Sequence, residues 1–354
     1  MRINRLILSN FMLFDSLDIE WSPNINIISG SNSTGKTALI KLMYAALKVL
    51  GNAEKGKNEP TKEKISEDLA AKLQGVFRPD DGTIGRLVNR KQGNRRADID
   101  FHFVNSGELS FGFDRQAKRR VELKNAAMPA NKTIECVYIP PKEIISATVN
   151  FASLYDDYHI EFEEMYYDLA RLLDRPLRKG PNTNEQNAIL ENFGKIVDGN
   201  VVYKDRKFFL KVKGSGEYEM GLVSEGYRKL STIMYLILTE SLGKNTVLFW
   251  DEPETNMNPK MIDPIVQALI QLAKMGIQIF ITTHDYFVQQ SFNIMASYPN
   301  PSESKLKINF VSLFEDGKIQ YESAGTLNEL SHNSVMEEFD DLYDREQRIL
   351  NGNN

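Results

Sequence analysis

Hydrophobic positions along the chain switch between three spacings, and the switching predicts the architecture. Ile3, Leu6 and Leu8 sit among charged or polar neighbours, residues 17–20 continue in strand spacing, and residues 25–28 close into an apolar run, which together predict three strands. A helical spacing follows over residues 37–50. Residues 51–82 are rich in Lys, Glu, Gly and Asn (Lys55, Lys57, Glu59, Lys62, Glu63, Lys64) and read as a mobile surface loop with a short helix-like stretch at 65–74. Alternation returns over 97–103 and 108–113, and the apolar run 134–139 before Pro140-Pro141 closes what reads as an antiparallel subdomain.

Beyond residue 150 the pattern turns helical, with Ile160, Met165, Leu169, Leu172 and Leu173 in register, a break between Pro176 and Pro181, and a second helix over 186–197. A hairpin is expected around Gly214-Ser215-Gly216. Then helix (224–241), strand (246–250), helix (259–273, weakened by Pro264) and strand (277–282) alternate, as parallel sheets require. A hairpin around Asp316-Gly317 and an acidic helix over 334–350 end the pattern. The expected fold is α/β, with a mixed or parallel sheet, an antiparallel β subdomain and a helical insertion. The expected division is 1–150, an insertion at 151–200, a second lobe at 201–330 and an acidic tail at 331–354.

Composition adds little beyond exclusions. With 354 residues, 42% hydrophobic content and a net charge of −5, the chain is long enough for two lobes and ordinary enough that any polyanion surface must be local. Its apolar runs fall far short of the roughly 20 residues that cross a bilayer, and its start has no secretory pattern, so no membrane role is expected. The single cysteine, Cys136, lies in an apolar run and reads as a buried thiol; with no disulfide framework, a cytoplasmic location is expected. His102, His159 and His332 read as structural or surface residues.

Chemistry concentrates in four segments. Gly30-Ser31-Asn32-Ser33-Thr34-Gly35-Lys36-Thr37 matches the phosphate-loop pattern at every fixed position, between an expected strand and an expected helix. Gly30 and Gly35 let backbone N–H groups close on phosphate oxygens, with Asn32, Ser33 and Thr34 between them. Lys36 reaches the β and γ phosphates, and the Thr37 hydroxyl ligates Mg²⁺. An apolar strand ends in Asp251-Glu252-Pro253-Glu254, where Asp251 would hold Mg²⁺ and Glu252 would polarise the attacking water. Thr283-His284-Asp285 follows the next strand, which places His284 at the ligand-facing edge as a donor to the γ phosphate. Ser224 caps a helix whose first turn carries Gly226 and Arg228, 27 residues before Asp251. Asn10, Phe11 and Phe14 are candidates to pack on the base, with core packing as the alternative.

The order of these segments resembles the ABC-type ATPases, and within them the SMC, RecF and OLD group. The resemblance covers residues 1–50 and about 220–315 and says little about 51–215. It implies ATP with Mg²⁺, and a homodimer or an assembly of dimers in which two chains sandwich two nucleotides. Lys36, Thr37, Asp251, Glu252 and His284 then form one half-site, and Ser224, Gly226 and Arg228 face the nucleotide of the other subunit. Two departures stand out: Met257-Asn258-Pro259 replaces the commoner Leu-His-Pro, and residues 139–143 offer no glutamine for the expected Mg²⁺ contact.

Two functions remain open under the resemblance. One is an OLD-like ATPase in defence against phage, controlling a separate effector such as a nuclease, because the 70 residues after His284 leave no room for the OLD nuclease domain. Asp340, Asp341 and Asp344 in the polar tail do not read as a metal site. The other is a RecF-like DNA-binding ATPase of recombination or gap repair. Between residues 86 and 132, eleven basic residues (Arg86, Arg90, Lys91, Arg95, Arg96, Arg115, Lys118, Arg119, Arg120, Lys124, Lys132) stand against five acidic ones, a face for a nucleic-acid backbone, an acidic protein or solvent.

Overall fold

A computed structural model describes residues 2–54, 60–93, 96–105, 107–127, 134–158, 160–299 and 306–351. In chain order the elements are β1 (Ile3–Phe11), β2 (Phe14–Glu20), β3 (Ile25–Gly30), α1 (Lys36–Glu54), α2 (Lys62–Phe77), β4 (Arg96–Phe103), β5 (Gly107–Asp114), β6 (Glu122–Ala127) and β7 (Glu135–Ile139). Then come α3 (Phe151–Tyr158), α4 (Glu164–Leu173), α5 (Asn184–Ile196), β8 (Gly199–Lys204), β9 (Lys207–Val212) and β10 (Gly216–Glu219). The last third holds α6 (Glu225–Leu238), β11 (Thr246–Asp251), α7 (Ile262–Lys274), β12 (Gln278–Thr282), α8 (Tyr286–Ser297), β13 (Ile308–Asp316), β14 (Lys318–Ala324) and α9 (Ser334–Leu350).

Three sheets organise these elements. The central one runs β14-β13-β3-β12-β11-β7, parallel except for the β13–β14 hairpin. Its strands are buried on both faces. Val247 and Phe249 of β11 face one apolar cluster with α1 and the antiparallel sheet, while Leu248 and Trp250 face a second with α4, α5, α6 and α7. Each such fully buried side chain contributes about 1.5–3 kcal/mol. The antiparallel sheet runs β2-β1-β4-β5-β6, and a three-stranded sheet runs β10-β9-β8.

Several sequence expectations need correction. Residues 134–139 do not close the antiparallel subdomain: β7 pairs parallel with β11 at the edge of the central sheet, and β1 and β2 join the antiparallel sheet instead. Residues 62–77 are a true helix, because Ile65, Leu69, Leu73 and Val76 form a buried stripe and Thr61 Oγ1 caps Lys64 N at 3.2 Å. Lys55, Lys57 and Glu59 lie outside the described residues. Pro264 is no obstacle to α7, since it occupies the first turn, where no intrahelical N–H bond is due. Helix α8 was not expected; Asp285 Oδ1 accepts from Val288 N at 2.8 Å and starts it.

Candidate functional site

The phosphate loop joins β3 to α1, and its two outer glycines are demanded by contact. Gly30 has φ +142°, and a Cβ there would lie 2.2 Å from Leu313 O of the neighbouring strand. Gly35 has φ +96°, and a Cβ would lie 2.7 Å from the Phe14 ring. Thr34 Oγ1 donates to Ser31 O at 2.9 Å, while Ser31, Asn32 and Ser33 are exposed. Lys36 is buried, and its Nζ donates to Gly30 O at 2.8 Å and Ser31 O at 2.9 Å. Burial lowers its pKa against the opposing charges of Glu252, Asp251 and Glu254. Backbone N–H groups at the start of a 19-residue helix, under a cation, make a cradle suited to a polyphosphate.

Asp251 ends β11 directly beside this loop. Its Oδ1 accepts from Thr37 Oγ1 at 3.1 Å and from Thr282 Oγ1, and its Oδ2 accepts from Tyr138 OH at 2.9 Å. The carboxyl is almost wholly buried, which raises its pKa despite these three hydroxyl donors. Glu252 then takes a left-handed conformation, φ +47°, with its N–H donating to Thr282 O at 3.1 Å. The turn lets Glu252 Oε1 come 3.2 Å from His284 Nδ1. Beneath this pair, Glu254 accepts from Thr283 Oγ1 at 2.7 Å and from His284 N at 3.2 Å, so a buried carboxylate ties the ends of β11 and β12 together. Burial raises the Glu254 pKa, and its Oε2 has no partner among the described residues.

Thr37 and Asp251 supply a hydroxyl and a carboxylate, the hard oxygen donors that Mg²⁺ takes when phosphate oxygens and water complete its octahedron. Among the described residues no cluster of three His, Cys, Asp or Glu could hold a metal by itself. The donor set therefore fits a metal that arrives with a nucleotide.

The segment opening α6 is tied to the same edge from the other side. Ser224 is exposed and its side chain makes no capping bond, and a Cβ on Gly226 would meet only Met257 Cγ, at 3.7 Å, among the described residues. Nothing among the described residues demands glycine there. Arg228 is held within the chain, with NH1 2.6 Å from Glu143 Oε1 and Nε donating to Val223 O at 2.6 Å. Lys229, buried, donates to Pro253 O at 3.3 Å and Thr255 O at 2.7 Å, and Asn256 Nδ2 donates to Glu225 Oε2 at 3.0 Å. The α6 segment and the loop after Glu252 are thus one unit. No hydrogen bond or ion pair joins Ser224, Gly226 or Arg228 to residues 30–37 among the described residues.

Three sequence candidates are placed elsewhere. Phe11 is fully buried, edge-on to Phe77 with ring centroids 5.8 Å apart, and offers no surface to a base. Phe14 is fully buried under Gly35, and the Asn10 carbonyl accepts from Asn89 N at 2.8 Å, so the core alternative holds for the two rings. Five of the nine described basic residues of this region are paired within the chain: Arg86 with Asp80, Lys91 with Asp15, Arg96 with Asp98 and Glu122, Arg120 with Glu67 and Lys124 with Asp98. Arg95 and Lys132 lie outside the described residues, as does His159. His102 and His332 pair at the surface with Glu108 and Glu322. Cys136 is buried, which pushes its thiol up to about 12. Tyr138 and Glu143 are site residues that the sequence did not reveal as such, because only the pairing of β7 with β11 and the packing of α6 bring them to this edge; Glu254 stands in the segment the sequence marks, but its tie to Thr283 and His284 shows only in the structure.

Comparison with known proteins finds matches over both halves of the chain. Residues 1–169 match the family described as "AAA ATPase domain", and residues 146–288 match "AAA domain, putative AbiEii toxin, Type IV TA system". The chain is 35% identical over 89 residues to the DNA replication and repair protein RecF of Halalkalibacterium halodurans, covering 25% of this chain and 23% of that protein. It is 31% identical over 112 residues to RecF of Actinobacillus pleuropneumoniae, covering 28% and 30%. The matched segments thus span under a third of those relatives. Among solved structures, an Smc head bound to the C-winged helix domain of ScpA superposes with TM-score 0.56 at 13% identity, over 92% of this chain and 98% of that one. An Smc head domain with an extended coiled coil, bound to the C-terminal domain of ScpA derived from Pyrococcus furiosus, gives 0.53 at 12% identity, over 97% and 99%. The fold is that of an SMC head, and the matches support an ATPase of the SMC and RecF type.

Proposed function

We propose that the chain binds ATP with Mg²⁺, hydrolyses it, and dimerises around it to control a separate effector protein. The carrying observation is the convergence of Lys36, Thr37, Asp251, Glu252 and His284 on one edge of the central sheet, at the ends of β3, β11 and β12. Lys36 exchanges the carbonyls of Gly30 and Ser31 for the β and γ phosphate oxygens. Thr37 and Asp251 hold the Mg²⁺, which when bound neutralises charge on the phosphates. Glu252 takes the proton of the attacking water. His284, with Nδ1 turned to Glu252, presents its other ring nitrogen to the γ phosphate. Ser224 and Gly226 of the partner subunit complete the site; the exposed Ser224 and the sterically unrequired Gly226 support this reading. Arg228 has its own intrachain partners and serves the α6 segment rather than the nucleotide.

The experiment is a pair of variants read by turnover, nucleotide binding and particle mass. Glu252→Gln should abolish turnover while retaining ATP and the dimer, and Lys36→Ala should lose nucleotide binding. Undiminished turnover in the first, or normal binding in the second, rejects these assignments.

The match of residues 146–288 to a toxin–antitoxin family supports an effector-linked role, as in anti-phage defence. The RecF matches support a second reading, a DNA-binding ATPase of recombination. The internal pairing of Arg86, Lys91, Arg96, Arg120 and Lys124 weighs against a broad phosphate-binding face. Purification from the native host decides between them: recovery of a recombination mediator in place of an effector overturns the first reading.

A further inference from the structure

Helix α9 is anchored only at its start. Asn333, buried, donates from Nδ2 to Gln289 Oε1 of α8 at 2.7 Å, Gln290 Nε2 lies 3.4 Å from Met336 Sδ, and Phe339 stacks on Tyr286 with centroids 4.5 Å apart. No residue of the helix is buried. Phe339, Leu342, Tyr343, Ile349 and Leu350 are 46–71% exposed and, with Glu346 between them and Arg345 at the edge, line one open groove along the helix. Phe287 of α8, also exposed, meets Tyr286 edge-on at 5.8 Å and extends the same aromatic chain. A bare apolar stripe of this kind marks an interaction site.

Charge decides what covers it. The helix carries Glu337, Glu338, Asp340, Asp341, Asp344 and Glu346 against Arg345 and Arg348. At helical spacing Glu346 falls in the middle of the apolar stripe, with Glu338 and Asp340 towards its margins and Arg345 beside Glu338, so the acids outnumber the one basic residue of the face, and Glu346 has no ion-pair partner among the described residues. Two copies of α9 laid face to face would set these acids against one another, and an anionic lipid surface would repel them. We propose that this face docks a separate protein through an apolar helix rimmed by Lys and Arg, with one cation opposite Glu346. The inference deepens the effector reading above and rests on it. Position suits that role: α8 begins two residues after His284, with Asp285 N donating to Thr283 Oγ1 at 3.0 Å, so the docked helix lies one element away from the site.

The test titrates the full chain into fluorescent 18-residue amphipathic peptides that share one leucine face but carry either a Lys/Arg or a Glu rim, read by anisotropy. The basic peptide should bind, weaken at least tenfold with Leu342→Asp/Ile349→Asp, and weaken several-fold with added salt. Glu346→Lys should shift preference towards the acidic peptide. Equal binding by the variants, or preference of the unmodified chain for the acidic rim, overturns the proposal. So does self-association, or adsorption to phosphatidylserine vesicles, that the double variant abolishes. Lys36→Ala should lose ATP binding yet bind the basic peptide normally; an unmodified chain that binds ATP but not the basic peptide rejects docking alone, and one that binds the peptide but not ATP rejects the ATPase assignment alone.

Discussion

Replacing Tyr138 with Phe removes one buried oxygen and leaves the ring in place, which makes it a clean probe of how Asp251 is held. The hydroxyl donates to Asp251 Oδ2 at 2.9 Å, and the ring packs on Tyr44 with centroids 5.3 Å apart. Thr37 and Thr282 both serve the other oxygen, Oδ1, so the variant strands Oδ2 in a site where water has almost no access. A hydrogen bond to a charged group is worth about 1.5–3 kcal/mol, and since the ring is retained no cavity cost adds to it. At about 2.1 cal/mol/K of unfolding entropy per residue, that corresponds to a fall of roughly 2–4 °C in Tm for a chain of 354 residues. A carboxylate freed to rotate also holds its cation less well, and about 1.4 kcal/mol of that loss raises the Mg²⁺ needed for half-maximal turnover about tenfold. Tyr44→Phe is the control: its hydroxyl donates to Asp168 Oδ2 at 2.5 Å, away from the site, so it should cost similar stability with no change in Mg²⁺ dependence. An unchanged Tm in Tyr138→Phe, or equal Mg²⁺ shifts in both variants, would refute the reasoning.

Three further outcomes are expected. Lys72 is buried between Glu164 at 2.8 Å and Asp168 at 2.5 Å, so Lys72→Ala takes the close cation from both carboxylates, leaving Asp168 with Lys48 at 3.7 Å and the Tyr44 hydroxyl, and should cost about 3 kcal/mol by urea denaturation; a cost under 1 kcal/mol would contradict it. Gly35→Ala drives a Cβ into the Phe14 ring and should lose ATP binding in a nucleotide-binding titration, with partial recovery in Gly35→Ala/Phe14→Leu; normal binding by the single variant would dismiss the close-contact argument. Burial holds the Cys136 thiol protonated up to about 12, whereas an unfolded cysteine ionises near 8.5. The raised folded value means that this group's contribution to stability is complete below about pH 8.5 and is lost as pH rises towards 12. Alkylation at pH 9 should therefore be slow in the native chain and fast in urea, and equal rates would show an accessible thiol.

The readable parts of this chain were those whose signal is local. The phosphate loop and the carboxylates at the end of β11 each declare themselves within a few residues, as does the start of α6, although Ser224 makes no side-chain capping bond there. Strand pairing does not: residues 134–139 have the composition of any buried strand, and only tertiary structure sets Ile139 beside Trp250, which carries Tyr138 to Asp251 from 113 positions away. Charge content hid α2, because a stripe of Ile65, Leu69, Leu73 and Val76 is enough to bury a helix whose other faces are polar. Phe11 and Phe14 were ambiguous for the reverse reason, since an aromatic residue at a strand end suits a base or a core equally well.

The position of β3 has a consequence for how the chain is made. Its neighbours on either side, β12 and β13, come from the last quarter of the sequence: Ile25 pairs with both Ile279 and Ile308, and Gly30 with Leu313. At about 5–20 residues per second, a ribosome needs roughly 15–60 s after completing the phosphate loop to deliver the strands that flank it. During that interval the loop exists as sequence but lacks the strands that flank it. On the proposed reading, nucleotide binding in this topology would be in effect a certificate that synthesis has passed residue 313.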